Sequence, residues 1–274
     1  MWFIWAGVCD TRHSSEALAA ILRLPGAPVY AANNNYIGDI VKAADTVLDA
    51  RIENGGGPIL DADEEVCNGV EAVLHAVASA VPSAFAKTPG CTAVLMKAAQ
   101  VTTMEAPAAI GYLASSLEAV TRVPDAAATI ASQPAEALTF LQRLAEQSSM
   151  VLETEITRAK EHEHGHGHGH ITGTVSGSGS GVGSSSGVVG VASPVDKARR
   201  NVRHTLRVLE RLTGHPTARE ALSQPEPLGH LTRALSQLQT MHEDKLVRAL
   251  VRLLGVLSAG KCWRWCTHTV QYMS

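Results

Sequence analysis

The segment with the most visible potential for chemistry is HEHGHGHGH, at residues 162–170. Its first five residues satisfy the H-E-x-x-H pattern of zinc metalloproteases, in which a helix places both histidines on one face beside a catalytic glutamate. Here glycine occupies every second position from 165 to 169, and each glycine costs a helix about 1 kcal/mol relative to alanine. We therefore expect a flexible linker without protease activity, whose imidazoles could bind Zn²⁺, Ni²⁺ or Cu²⁺ only weakly.

The other candidate metal-binding and phosphate-binding motifs of the sequence are incomplete. Cys262, Cys266 and His268 offer three soft ligands, but a structural zinc site needs a fourth. The glycine-rich GSGSGVGSSSG lacks the Lys-Ser/Thr of a phosphate-binding loop. Because no nucleophile and base stand in a recognisable pattern, we expect neither enzymatic activity nor a cofactor. Five irregularly spaced cysteines predict a reducing compartment, with the cytoplasm as the first expectation.

A stripe of arginines forms the candidate binding site. In KARRNVRHTLRVLER, residues 197–211, spacings of three or four place four arginines on one helical face: Arg200, Arg203, Arg207 and Arg211. Val202, Leu206 and Leu209 lie on another face. Such a stripe could bind an acidic partner helix, a phosphorylated segment or a nucleic-acid backbone. The alternative is an ordinary solvated face that keeps the chain soluble.

The distribution of charge bears on the choice of partner. Residues 195–274 contain 13 Lys and Arg against 6 Asp and Glu, whereas residues 1–194 contain 10 against 20. This asymmetry predicts another protein as the partner, with an acidic surface as one option, or contact between the two ends. The net charge of −3 argues against bulk binding of nucleic acid. No stretch approaches the ~20 apolar residues of a membrane span, so we expect no membrane partner.

The elements that must position these side chains are helices. Alanine and leucine dominate, aromatic residues make up only 4 % of the chain, and few segments alternate as strands do. Two segments, residues 117–144 and 209–235, repeat one pattern of helix, proline turn, short helix, second proline and longer helix. Prolines that end a helix recur at the corresponding turns, at Pro25, Pro82, Pro124 and Pro216.

A period of about 42 residues, with L-x-x-L-T before a proline turn and L-x-x-L after a short helix, resembles the armadillo repeat. The likeness is best in VRHTLRVLERLTGHPTAREALSQPEPLGHLTRALSQL and extends weakly over residues 16–258 without the insertions. It implies a right-handed α-solenoid. Armadillo helices that bind extended peptides carry an asparagine before the last leucine of the second helix, where this chain has Arg211 and Ala119. The resemblance therefore implies the scaffold and not extended-peptide binding.

The expected organisation has four parts: residues 1–160 with N-terminal armadillo-like repeats, 161–194 as a disordered His/Gly/Ser-rich insertion, 195–260 as a C-terminal repeat, and 261–274 as a tail. The expected function is a non-catalytic helical-repeat scaffold that mediates protein–protein interaction. Two alternatives stay open: a structural subunit of a larger assembly, such as an organellar one, and weak metal binding through the His-rich tract.

Overall fold

The computed structural model describes residues 11–53, 61–105, 109–165 and 192–259. These ranges hold thirteen α-helices and no strand, so the all-α prediction is confirmed for them. The helices are α1 (Thr11–Leu22), α2 (Ala27–Asn33), α3 (Tyr36–Glu53), α4 (Asp61–Ala80), α5 (Pro82–Lys87), α6 (Cys91–Glu105), α7 (Ile110–Val120), α8 (Pro124–Ala131), α9 (Ala135–Gly165), α10 (Pro194–Leu212), α11 (Pro216–Leu222), α12 (Pro225–Thr240) and α13 (Asp244–Ser258).

The turn prolines lie where the sequence predicts them. Pro82, Pro124 and Pro216 are the first residues of the short helices α5, α8 and α11, a position where the missing N–H is not needed. Val123 and His215, each directly before such a proline, have extended backbone, since the proline ring disfavours helical geometry in the residue before it. Each proline therefore ends one helix and begins the next.

Helices that stand three apart in the chain pack against each other. In a first row α1 contacts α4, α4 contacts α7, α7 contacts α10, and α10 contacts α13. In a second row α3 contacts α6, α6 contacts α9, and α9 contacts α12. The short helices α2, α5, α8 and α11 connect the two rows along the chain. The helices on either side of the expected insertion belong to one packed array, because α10 packs on both α7 and α9.

The core is aliphatic, and its side chains come from both rows. Leu117 of α7, Leu141 of α9 and Leu209 of α10 are fully buried, and burying a side chain of this size stabilises the fold by about 1.5–3 kcal/mol. Phe85 of α5 is the largest side chain among the fully buried ones in the described ranges. Within the same ranges, no helix has both the length and the apolar content that crossing a membrane requires.

The expected insertion begins later than residue 161. Helix α9 continues to Gly165, because the first glycine of the His/Gly tract stands there and Lys160, Glu161 and Glu163 before it are good helix formers. At the other side, Pro194 begins α10, and the Ser193 hydroxyl caps it by accepting a hydrogen bond of 3.1 Å from the Asp196 N–H. Residues 166–191 and the expected tail at 261–274 lie outside the described residues.

A close contact between α1 and α4 provides a test of the first row. A Cβ placed on Gly69 of α4 would come within 2.0 Å of Ser15 Oγ and 2.8 Å of Ser15 Cβ. We expect Gly69→Ala to lower the free energy of unfolding, measured by urea denaturation, by about 1–3 kcal/mol, because the added methyl group overpacks this contact.

The matched control is Gly38→Ala in α3, where nothing lies within 4 Å of the added Cβ. It is expected to raise the free energy of unfolding by up to about 1 kcal/mol, since alanine favours the helix over glycine. Adding Ser15→Gly to the Gly69→Ala chain should restore most of the lost stability. If Gly69→Ala and Gly38→Ala had the same effect, α1 would not pack on α4 as described.

Candidate binding surface around Glu118

Helix α10 has the two faces that the sequence predicts. Its apolar stripe is buried, with Val202 and Leu209 fully covered and Leu206 nearly so. The local sequence favours this helix because it has proline at the first position, Asp196 in the first turn and Arg211 in the last turn, where their charges complement the helix dipole. The arginine stripe therefore lies on the side of α10 that faces away from the core.

A buried glutamate of α7 lies against this stripe. One carboxylate oxygen of Glu118 is 2.6 Å from His204 Nδ1, and the other is 2.9 Å from Arg122, 3.3 Å from Arg211 and 3.4 Å from Arg207. The residue is only 3 % exposed. A buried carboxylate without such partners would be strongly destabilising, so these contacts hold α10 against α7.

Burial alone would raise the pKa of Glu118, but hydrogen bonds and charge from Arg122 and His204 outweigh it and lower this pKa to about 2. Arg211 adds a contact to the backbone, since its Nη1 donates to the Glu118 carbonyl oxygen at 2.8 Å. The same nitrogen lies 3.2 Å from the Thr121 hydroxyl. Glu118 is thus ionised at neutral pH and bridges two helices of the first row.

The predicted arginine stripe divides into two parts. Arg207 and Arg211 bind Glu118 within the chain. Arg200 and Arg203 are exposed, and neither forms a hydrogen bond or an ion pair with a described residue. Of the four arginines in the stripe, only Arg200 and Arg203 could bind another molecule without breaking a contact within the chain. Binding at the stripe stays a prediction.

A similar arrangement recurs in the second row. Glu146 of α9 contacts both His230 and Arg233 of α12, as Glu118 of α7 contacts His204 and Arg207 of α10. In each case a His-x-x-Arg segment binds the glutamate of the helix three positions earlier. Burial acts to raise the pKa of Glu146, and the hydrogen bonds from Arg233 and His230 lower it below 4.5.

Several basic side chains of the second row pair with carboxylates of a neighbouring helix, whereas α10 carries arginines that do not. Lys97 of α6 binds two carboxylates of α3, Asp45 at 2.6 Å and Asp49 at 2.7 Å. Arg143 of α9 pairs with Glu226 of α12 at 3.3 Å. Around α7 and α10, by contrast, Glu118 contacts Arg122, Arg207 and Arg211, while Arg200 and Arg203 contact no described carboxylate. We call these five arginines the basic surface.

Aromatic and imidazole rings lie next to the basic surface along the first row. Tyr112 of α7 has its ring centroid 5.6 Å from that of His75 of α4. The Arg23 guanidinium lies 5.8 Å from the Tyr112 ring centroid and donates to the Tyr112 hydroxyl at 3.3 Å. Burial, then the charges of Arg23 and His204, lower the pKa of His75 below 6.5. These residues extend the surface from α10 over α7 and α4 to the turn after α1, where Arg23 supplies the cationic group.

The sequence pattern did not single out Glu118, His75 or Tyr112. Glu118 stands in the apolar segment of a helix, where a buried acid has no periodic signature. The sequence contains one signal for Glu118, which is its alignment with Glu210 in the internal repeat. Glu210 is exposed, so this alignment does not indicate a buried glutamate. The partners of Glu118 on α10 are about 90 residues away in the chain, and only the packing of α7 on α10 brings them together.

Metal binding has little support within the described ranges. They contain no group of three His, Cys, Asp or Glu side chains that could hold a metal ion. His162 is exposed near the end of α9, while His166 and the rest of the tract lie outside the described residues, as do Cys262, Cys266 and His268. The weak metal binding expected for the tract stays a prediction.

A second buried glutamate, Glu71 of α4, has the opposite electrostatics. It accepts a hydrogen bond from the Thr102 hydroxyl of α6 at one oxygen, and its Oε2 has no partner in the described part of the chain. Burial raises the pKa of Glu71 well above 4.5, and the Thr102 hydrogen bond only partly opposes this. Without a cation, the buried carboxyl group favours its neutral, protonated form.

Replacing Glu118 tests the bridge between α7 and α10. We expect Glu118→Gln to lower the free energy of unfolding at neutral pH by about 1.5–3 kcal/mol, because charged hydrogen bonds are lost. Since the pKa of Glu118 in the folded chain lies below 4.5, its contribution is present above that pH and lost as the pH falls towards about 2. Urea denaturation across this range should show the difference from wild type shrinking. Glu210→Gln, an exposed glutamate of α10, is the control and should change little.

The opposite pH dependence is expected for Glu71→Gln. A raised pKa favours folding below pH 4.5, and this contribution is lost as the pH rises through the pKa of the folded state. The glutamine variant lacks this loss, so its stability should increase relative to wild type with rising pH, by up to about 1.4 kcal/mol per pH unit. A difference that stayed constant with pH would show that Glu71 is not protonated in the fold.

Comparison with known proteins gives no information on this site. No family model matches the chain, and neither a curated protein nor a solved structure is significantly similar to it. The armadillo likeness therefore depends on the repeated leucines and prolines of the sequence and on the order of the helices. A binding role for the basic surface depends on its charge and its exposure.

Proposed function

We propose that the chain is a non-catalytic helical-repeat scaffold, a right-handed armadillo-like α-solenoid, that binds an acidic segment of another protein. The order of the helices supports the scaffold. A long helix, a short helix and a second long helix follow one another four times, and α13 begins a fifth unit. Contacts between helices three apart are those that stacked three-helix units require.

The observation that carries the binding role is the unbalanced charge of the basic surface. Glu118 neutralises one positive charge, and Arg200 and Arg203 are left exposed without a described partner. Arginine forms paired hydrogen bonds with carboxylates, so an acidic segment is the chemically matched occupant. The described second row has fewer unpaired cations, since Lys97, Arg143 and Arg233 have carboxylate partners and Lys42 of α3 is an exposed cation without one.

The binding test changes only the free arginines. We expect Arg200→Glu/Arg203→Glu to weaken, at least tenfold, the binding of a partner first captured from lysate, identified by mass spectrometry and then titrated as a purified protein. Arg207 and Arg211 are kept, because changing them would also unpair Glu118. The control with the same charge change is Lys87→Glu/Arg219→Glu, on the exposed sides of α5 and α11, and it should bind as the wild type does.

Two results would contradict this function. A partner retained equally by both variants would place the binding site elsewhere on the array. Tight binding of duplex DNA, lost in Arg200→Glu/Arg203→Glu and steeply weakened by salt, would identify the basic surface as a nucleic-acid site instead. Circular dichroism of each variant checks that the helices are intact.

A second candidate function is a structural subunit of a larger assembly. The observation that favours it is the exposure of apolar side chains at α1, α2, the turn between them and α13, including Leu24, Tyr30 and Val251. Exposed apolar side chains that cluster together mark contacts with other molecules. This candidate and the basic surface concern different parts of the array, so one does not exclude the other.

A further inference from the structure

The exposed apolar side chains concentrate at the two ends of the helical array. Seven large hydrophobic residues of the described ranges are exposed. Four of them belong to α1, α2 and the turn between them: Ile21, Leu24, Val29 and Tyr30. Two more belong to α13, Val251 and Val256, and only Met150 of α9 lies elsewhere. Since single exposed hydrophobic residues scatter over most surfaces, this concentration needs a reason.

The N-terminal end exposes a face of α1 that no described helix covers. α1 packs on α4 through Ser15, Ala19 and Leu22, which are buried. The opposite side of the same helix carries the exposed residues Ala17, Ala20 and Ile21, and Leu24 in the turn that follows continues this side. Tyr30 of α2, at 63 % exposure, extends this apolar face. In every later unit, the corresponding side of the first-row helix contacts the preceding unit.

The C-terminal end of the array also exposes apolar side chains. α13 packs on α10 and α12 through buried leucines such as Leu246, Leu250 and Leu253. Its opposite side exposes Arg248, Val251, Arg252 and Val256. α13 is thus the last first-row helix of the described array, and the side on which a following unit would pack is open.

We propose that these two ends bind each other between copies, so that the chain self-associates head to tail. α13 of one copy would lie beside α1 of the next and continue the first row across the junction. Stacked repeats normally end in caps with polar outer faces, and no described residue caps either of these faces. Glu16 of α1, exposed at the N-terminal end together with Arg23, is the acidic group that Arg248 or Arg252 of α13 would meet across the junction. An interface between two different surfaces is heterologous, and it extends into chains unless geometry closes a ring.

Two complementary variants test this proposal on the full chain. The N-end variant, Leu24→Glu/Tyr30→Glu, and the C-end variant, Val251→Glu/Val256→Glu, change only exposed side chains. Sedimentation equilibrium should give a wild-type mass that rises with concentration beyond that of a dimer. Each variant alone should be monomeric, and their equimolar mixture should form dimers and nothing larger, because each copy keeps one intact end. Met150→Glu, which changes the remaining exposed hydrophobic residue, should behave as the wild type.

Each other result overturns the proposal. A wild-type chain that is monomeric at all concentrations would show that its ends do not bind each other. Self-association by the N-end variant alone, or by the C-end variant alone, would show a symmetric contact between like ends. A loss of association in Met150→Glu as well would show that added negative charge, and not the end faces, controls it. The self-association does not rest on the proposed binding function, since Arg200 and Arg203 are unchanged throughout.

Discussion

One constraint governs the packing of the described helices: each long helix is covered mainly by helices from neighbouring three-helix groups. In the first row, α4, α7 and α10 each pack on the helix three positions earlier and on the helix three positions later, whereas α1 and α13 have such a neighbour on one side only. The proline turns make this possible, because they reverse the chain within a few residues and set one long helix beside the next. Stability is therefore built between units, where leucine and alanine from neighbouring helices meet.

Ion pairs form at the same contacts between neighbouring units and make those contacts more specific. Glu118 and Glu146 each bridge to a helix three positions later through a histidine and an arginine one turn apart. His204 makes the Glu118 bridge specific for one register, since a shift of one turn along α10 would separate it from Glu118, while another arginine of the stripe would take the place of Arg207. Glu71 shows the alternative, a buried carboxyl group whose pKa burial raises well above its usual range, with no cation of the described residues in contact with it. The fold thus contains acids whose pKa values move in opposite directions for identifiable reasons.

The local features of the fold were predictable from the sequence, and the long-range ones were not. Pro82, Pro124 and Pro216 act within one turn of the chain, so their role as helix starts follows from proline geometry alone. The amphipathic nature of α10 is likewise a local pattern. The engagement of Arg207 and Arg211 is different, because their partner Glu118 is some 90 residues away. The end of α9 at Gly165 was also missed, because the change in composition starts before the first glycine does.

The length of α9 has a consequence for how the molecule unfolds. At 31 residues it is about 46 Å long, and it packs against α6, α7, α10, α11 and α12. Repeat arrays ordinarily open unit by unit from their ends, since each unit contacts only its neighbours. Here one rigid helix is shared by the units on both sides of it. Fraying that begins at α13 can proceed without disturbing α6, but release of α9 uncovers both halves together, so the middle of the array behaves as a single cooperative block.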